Sequence, residues 1–409
     1  MKAEPRIAFF TDSYLEVNGV AQTSRQLAAF AQRRGYPFLC VHAGPRTEGI
    51  EEGSLRRLAL RRTRAGFRLD ADLRFDLLLW RHARLALETV RRFQPDVIHI
   101  TGPSDVGLLG AFLAWRLGIP ILLSWHTNVH EYARTRLERL FDSLSLGLPK
   151  TVGRRVEQIS LDIVAQFYRL GRVLLAPNEE LAELVASHCR RPTFLMRRGV
   201  ETVLFTPEKR DRSDNLLNLG YVGRLSPEKN IRFLATLEKR LMDAGCRDFK
   251  FTIVGTGSEL PWLKAEMRTA EFTGVLKGEA LARAYANFDL FVFPSETDTF
   301  GNVVLEAQAS GVPAIVGSGG GPKFIVQDRQ TGFVARQESD FTEIVCELRR
   351  NPEKLRQMSE AARRHAANLT WDRIFEEVYQ AYRHCLERDR MPSLANTIRP
   401  RWEADPEQS

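Results

Sequence analysis

Short apolar runs alternate with amphipathic stretches along most of this chain, and the spacing predicts a repeated strand–helix order. Residues 6–10 read as a first strand, followed by a loop carrying Asn18-Gly19 and a helix over 20–34 that Gly35 stops. Residues 38–43 read as a strand, 75–93 as an Arg-rich amphipathic helix, and 97–100 as a strand entered through Pro95-Asp96. The stretch 107–125 is almost wholly apolar, but Arg116 interrupts it and Gly118 and Pro120 break it. It reads as a helix up to Leu117, a Gly118 cap and a strand over 121–125, not as a membrane span. A second series begins near Leu216, with strands at 216–222, 249–254, 290–293 and 313–316 and helices at 230–244, 259–270, 278–286 and 302–310. Strands that alternate with helices predict an α/β fold with two doubly wound parallel sheets, each Rossmann-like, and ligands of such sheets bind beyond the carboxyl ends of the strands.

The polar stretch Thr206-Pro207-Glu208-Lys209 marks a boundary. The expected organisation is a domain over 1–205, a second over 206–370, a long amphipathic helix over 371–387 that crosses back to the first domain, and a polar tail over 388–409. The 409 residues suit two domains, and 44% hydrophobic content suffices for two cores. Five scattered cysteines, Cys40, Cys189, Cys246, Cys346 and Cys385, form no CxxC pair, which favours a reducing compartment and no structural zinc. No apolar run precedes the first strand, so no signal peptide is expected.

Charge is unevenly placed. Residues 1–205 hold 30 Lys and Arg against 21 Asp and Glu, and residues 206–409 hold 29 against 30, so the formal +8 comes from the first half. A basic surplus attracts phosphate-rich partners, an anionic lipid surface or nucleic acid, or else merely solubilises a domain. The stretch 131–176 is helical, basic and amphipathic, with Arg134, Arg136, Arg139, Lys150, Arg154 and Arg155 among apolar residues. It suits either a membrane face or a packed helix pair with a solvated face.

The candidate chemistry sits at strand ends. Pro294-Ser295-Glu296-Thr297-Asp298-Thr299-Phe300-Gly301-Asn302-Val303-Val304-Leu305-Glu306-Ala307 follows an apolar strand and opens a helix at about Asn302. Such a corner delivers backbone N–H groups and the positive end of a helix dipole to phosphate or sugar oxygens, with Asp298 and Glu306 flanking the point. Gly223-Arg224-Leu225-Ser226-Pro227-Glu228-Lys229-Asn230 places Arg224 and Lys229 at a strand end, where cations suit a departing diphosphate. Gly19 permits close backbone approach in the first strand–helix loop. His126, in Ser124-Trp125-His126-Thr127-Asn128, ends a strand and could bind a sugar or be structural, whereas His99 lies inside a strand and reads as a core histidine. Asp70-Ala71-Asp72 follows no apolar strand and reads as surface, and no other metal spacing is present. Gly255-Thr256-Gly257 lacks the third glycine of a dinucleotide fingerprint. No GxxxxGK[ST] loop and no GxSxG elbow occurs, against a P-loop ATPase and an α/β-hydrolase.

These motifs, in this order and with Arg198-Gly199-Val200-Glu201 through Phe205-Thr206-Pro207, resemble the retaining, nucleotide-sugar-dependent family 4 glycosyltransferases of the GT-B fold over roughly residues 6–385. That family carries two glutamates separated by seven residues. Here Glu306 matches the second and Asp298 stands at the first, a form similar to bacterial GDP-mannose-dependent α-mannosyltransferases and sulfoquinovosyltransferases. The resemblance implies that Glu306 binds the ribose, and that Asp298 with the Thr299, Phe300, Gly301 and Asn302 backbone holds the donor sugar. It further implies that Arg224 and Lys229 neutralise the diphosphate, that Gly19 approaches it, and that His126 contacts the sugar near the developing charge. The expected activity is a metal-independent, cofactor-free hexosyl transfer, with mannose from GDP-mannose as donor and a lipid or glycolipid as acceptor. A UDP-sugar donor such as UDP-sulfoquinovose is the alternative. The expected location is cytoplasmic, peripheral on an anionic membrane surface, with no nucleic-acid partner. A UDP-sugar 2-epimerase and a basic nucleic-acid-binding protein are the rival readings.

Overall fold

The computed structural model describes residues 4–16, 18–63, 67–68, 74–126 and 150–387. Val17, Asp70-Ala71-Asp72, Thr127-Asn128, Arg134, Arg136, Arg139 and the tail from 388 lie outside the described residues, as do the side chains of Lys150, Arg154 and Arg155. The chain divides into two compact units. One takes the residues up to 176 together with 180–196 and those from 375, and the other takes 177–179 and 197–374.

The first unit holds a sheet in the order Thr193–Leu195, Val173–Ala176, Ile121–Ser124, Val97–Ile100, Ile7–Thr11, Phe38–Gly44, Leu55–Arg61, Glu48–Glu52. Every pairing is parallel except the last. Its central strands are buried along their whole length, as sheets covered on both faces require, which is why their sequences are unbroken apolar runs. The helix Gly19–Arg34 is capped by Asn18, whose Oδ1 accepts from the Ala21 amide at 2.8 Å, and it ends at left-handed Gly35 (φ 70°). The helix Asp105–Leu117 ends at left-handed Gly118, so the apolar stretch breaks where its glycine predicts. Among the described residues no helix is long and apolar enough to cross a membrane.

The segment 75–93 is not one helix. A 3-10 turn, Leu77–His82, is capped by Asp76 and precedes the helix Ala83–Phe93. The strands Glu48–Glu52 and Leu55–Arg61 had no apolar signature to announce them, since the first is an exposed edge and the second interleaves Arg with Leu. In the last helix, Trp371–Glu387, the residues from Phe375 belong to this unit. Phe375 and Tyr379 lie 5.7 and 5.8 Å from the Phe30 ring.

The second unit is a fully parallel sheet in the order Ala270–Gly274, Phe249–Val254, Leu217–Val222, Leu290–Phe293, Ala314–Gly317, Gly332–Ala335. Helices Phe233–Asp243, Gly278–Ala286, Asn302–Ala309, Glu338–Arg350 and Pro352–Ala367 carry its core. The helix expected from residue 230 begins at Phe233, because Pro227–Lys229 form a 3-10 turn closed by left-handed Asn230 (φ 50°). The helix expected over 259–270 stops at Glu266, and the chain continues into the edge strand Ala270–Gly274, whose alternation of polar and apolar residues hid it.

Candidate active site

In the second unit, three loops converge at the carboxyl ends of neighbouring strands. The first leaves the buried strand Leu290–Phe293 and runs to the helix Asn302–Ala309. That helix starts from Gly301 at φ 94° with no side-chain cap, so its first N–H groups are not taken by a capping side chain. Phe300, Val304 and Leu305 are buried and fix the corner against the sheet. Asn302 is the first helical residue, and the Thr299 carbonyl accepts from Asn178 Nδ2 at 2.9 Å.

The second loop is Gly223–Asn230. Lys229 Nζ reaches Asp298 Oδ1 at 2.6 Å, and the Thr297 hydroxyl donates to the Glu228 carbonyl at 3.0 Å, so this loop is bonded to the first. Asp298 Oδ2 is buried and, among the described residues, has no hydrogen-bond partner. An acceptor oxygen left open beside a lysine is suited to a ligand hydroxyl. Arg224 Nη1 stands 3.8 Å from Glu228 Oε1. Burial pushes the Glu228 carboxyl upward, but the Ser226 hydroxyl, its own backbone amide and the charges of Arg224 and Lys229 outweigh that and leave it below its ordinary value. The loop therefore keeps a carboxylate that aims its cations.

Glu306 lies on the helix Asn302–Ala309, eight residues after Asp298, and its Oε2 accepts from the Tyr285 hydroxyl at 2.9 Å. Tyr285 is fully buried, and burial together with the adjacent Glu306 charge holds its hydroxyl well above its ordinary range. Tyr285 is thus a fixed donor that orients the Glu306 carboxylate.

The third loop, Gly319-Gly320-Gly321, was not singled out from the sequence. A Cβ on Gly321 would lie 2.1 Å from the Thr299 carbonyl oxygen, and one on Gly320 (φ 66°) 2.7 Å from that of Asp298. The Gly321 amide donates to the Asp298 carbonyl at 2.6 Å. Only glycine allows this backbone to press against the Asp298 corner, and three successive glycines before Pro322 were the signal available. Gly255 and Gly257 have a packing role instead. A Cβ on either would strike the Gly223 or Leu225 carbonyl, at 1.9 and 2.1 Å.

In the first unit, Gly19 begins the helix Gly19–Arg34 at an exposed position, and Asn18 Nδ2 donates to Ser13 Oγ at 3.0 Å to close its loop. Asp12 lies in the same loop. Burial pushes its carboxyl up to about 6, against the opposing charge of Arg62, which pairs with buried Asp105 at 2.8 Å. His126 is buried just beyond the strand Ile121–Ser124. Its Nε2 lies 2.7 Å from Ser124 Oγ, which lies 2.8 Å from His99 Nε2. His99 is fully enclosed, as a core histidine should be. Among the described residues no group of three or more His, Cys, Asp or Glu side chains is placed to hold a metal ion.

The sequence profile of Glycosyltransferase Family 4 matches residues 17–194, and that of Glycosyl transferases group 1 matches residues 217–351. The chain is 29% identical to a GDP-mannose-dependent alpha-mannosyltransferase of Mycolicibacterium smegmatis, over 94% of this chain and 98% of that one. It is also 29% identical to the Arabidopsis thaliana sulfoquinovosyl transferase SQD2, over 72% of this chain and 58% of that one. Among solved structures, the sucrose-phosphate synthase of Thermosynechococcus elongatus superposes with a TM-score of 0.72 at 18% identity, covering 94% of this chain and 99% of that one. The catalytic domain of Arabidopsis thaliana starch synthase IV superposes with a TM-score of 0.68 at 15% identity, covering 95% of this chain and all of that one. At these identities the structural likeness establishes the fold, GT-B, and no more.

Proposed function

The chain belongs to the family 4, group 1 glycosyltransferases, and from that premise we propose that it transfers mannose from GDP-mannose, with retention, to a lipid-linked or glycolipid acceptor. The observation that carries the donor half is the Lys229–Asp298 pair beside the anchored Glu306. One loop offers cations to a diphosphate, the unpartnered Asp298 Oδ2 accepts a sugar hydroxyl, and the Tyr285-oriented carboxylate of Glu306 accepts from two vicinal ribose hydroxyls. The backbone of Thr299, Phe300, Gly301 and Asn302 lines the same corner, and in this reading Gly19 approaches the diphosphate and His126 the sugar.

The mannosyl choice is supported by the mannosyltransferase relatives, which match over more than nine-tenths of both chains. In the transfer, the bond from the anomeric carbon to the diphosphate oxygen breaks as the acceptor oxygen bonds to that carbon from the same face. The hydroxyl proton passes to the leaving phosphate oxygen. Arg224 and Lys229 stabilise the charge that grows on the diphosphate, so the proposal needs no metal ion. Turnover undiminished by a chelator is expected, and loss of turnover restored by a divalent cation would refute that part.

For the acceptor half, the first unit carries an exposed aromatic cluster. Trp80, Phe112 and Trp115 are 38, 38 and 65% exposed, with ring centroids 5.4 and 6.1 Å apart, and the exposed Arg81, Arg84 and Arg116 lie within four residues of them in sequence. Aromatic rings interleaved with cations suit the headgroup level of an anionic bilayer. A depression of about 530 Å3 lies beside Arg81, lined also by Arg46, Thr47, Arg61, Thr63 and His82, and among the described residues no carboxylate lines it. Such a depression suits an anionic headgroup. Vesicles with anionic lipid should retain the protein at low salt and neutral ones should not. Equal retention on both, or on neither, refutes the membrane half.

A further inference from the structure

Three short segments of the first unit close on the depression beside Arg81. They are residues 45–47 after the strand Phe38–Gly44, residues 61–63 at the end of the strand Leu55–Arg61, and the 3-10 turn Leu77–His82. The parallel register sets Gly44 beside Arg61, and the Arg61 amide donates to Thr47 Oγ1 at 3.1 Å, so the first two segments are held together. Arg81 ties the third to them. Its Nη2 donates to the Arg61 carbonyl at 2.7 Å and its Nε to His82 Nε2 at 3.0 Å. Burial first, and the Arg81 charge after it, outweigh the Arg61 carbonyl and hold His82 below its ordinary value, so the ring stays neutral at pH 7 and can accept that bond.

The charge of this depression is not balanced from within. Arg62 turns away from it and pairs with buried Asp105 at 2.8 Å. Asp76, the acidic residue that caps the turn, is 2% exposed, and its oxygens accept from the Thr63 and Leu78 amides. Among the described residues the guanidinium groups of Arg46, Arg61 and Arg81 make no ion pair. Three like charges gathered around one depression repel, and a bound anion relieves that repulsion. A phosphomonoester suits the set better than a diester. It carries about −1.5 to −2 charge at pH 7 and three terminal oxygens, one for each guanidinium fork, whereas a diester carries a single charge and two free oxygens. The Thr47 hydroxyl accepts from Arg61 and keeps its own hydrogen to donate.

We propose that this depression is a phosphate site that takes the dianionic end of a phosphomonoester, with Arg46, Arg61 and Arg81 as its cations. The site lies wholly within the first unit, and its existence does not depend on the transfer reaction. Its use rests on the membrane half of the proposed function. Trp80 precedes Arg81 in the same turn and meets the Phe112 ring, so a lipid whose headgroup ends in phosphate reaches the arginines where the rings enter the interface. The arginines then sort lipids by headgroup chemistry, which an aromatic cluster alone does not. A soluble phosphomonoester carries the same chemistry, and the experiment separates the two sources.

Retention of the full chain is measured on phosphatidylcholine vesicles containing either phosphatidic acid or phosphatidylglycerol, brought to the same zeta potential. About tenfold tighter retention on phosphatidic acid is expected, because one more charge-assisted contact is available there. Glycerol 3-phosphate should compete for those vesicles more strongly than sodium chloride of equal ionic strength. Arg46→Gln combined with Arg61→Gln, both at exposed positions, should remove the preference and leave weaker, equal retention on the two sets. Calorimetry with glycerol 3-phosphate, run with excess GDP to occupy the cations of the second unit, reads the soluble source. A vesicle preference lost in the double variant supports the site with a lipid ligand. Equal retention on both sets, together with glycerol 3-phosphate binding that the double variant loses, supports the site and moves its ligand to a soluble phosphate. Equal retention with no such binding, or a preference that the double variant keeps, overturns the site. Retention on no anionic vesicle would instead overturn the membrane half of the proposed function, and the calorimetry then decides the site alone.

Discussion

Replacing Lys229 with Met separates what that side chain does for the fold from what it does for the reaction. Among the described residues Lys229 makes one ion pair, with Asp298 Oδ1 at 2.6 Å, and the two side chains are about four-fifths enclosed. An exposed pair contributes up to about 1 kcal/mol and removal of one partner of a fully buried pair costs about 3–5 kcal/mol, so this intermediate pair should cost about 1–2 kcal/mol. For a domain of this size that lowers Tm by about 2–8 °C, leaving the protein folded at assay temperature. The effect on chemistry is expected to be larger. A preorganised group that meets developing charge is worth about 100- to 1000-fold in kcat, or ~3–4 kcal/mol. Nucleotide release measured at saturating donor should fall by that factor, with a smaller change in donor KM. Lys229→Arg should recover part of it, since the charge is kept while the point-like ammonium is lost. A Lys229→Met enzyme that keeps kcat within about threefold of wild type refutes the diphosphate role.

Tyr285→Phe leaves the Glu306 carboxylate without its fixed donor, and should raise the donor KM about tenfold with kcat less affected, as measured by initial rates across donor concentration. Gly321→Ala places a Cβ 2.1 Å from the Thr299 carbonyl oxygen, so it should displace the Asp298 corner, abolish turnover and cost more than about 2 kcal/mol in urea unfolding. Asp12 titrates near 6 when folded, above its ordinary 3.8, so its penalty is absent below about pH 4, grows as pH rises and is complete above about pH 6. Asp12→Asn should therefore stabilise the protein at neutral pH and flatten the stability profile across that window. Trp115→Ala should weaken retention on anionic vesicles several-fold without altering nucleotide release from a water-soluble acceptor.

The parallel strands were legible because burial on both faces forces unbroken apolar runs, as at Ile7–Thr11 and Leu290–Phe293. The edge strands Glu48–Glu52 and Ala270–Gly274 were not, since a half-exposed edge needs no such run. Left-handed Asn230 delayed a helix that hydrophobic periodicity alone would start three residues earlier. At the site, strand-end position marked Arg224, Lys229, Asp298 and Glu306, but the buried hydroxyls that bond Glu306 and His99 lie far away in sequence. Tyr285 is twenty-one residues from Glu306, and Tyr382 is 283 residues from His99. A hydrogen bond between distant residues leaves no spacing to read. The Gly319-Gly320-Gly321 run did leave a trace, and its purpose is plain only when the Thr299 carbonyl is found behind it.

In the proposed transfer, the corner built by Lys229, Asp298 and Glu306 holds a GDP-sugar. The most direct measurement is GDP release from GDP-mannose in the presence of a membrane-lipid extract, for the wild-type protein and Glu306→Ala, alongside a panel of UDP-sugars. Acceptor-dependent release of GDP, incorporation of labelled mannose into the lipid fraction, and loss of both in Glu306→Ala are expected. Release from a UDP-sugar and none from GDP-mannose, or release unaffected by Glu306→Ala, would contradict the proposed transfer.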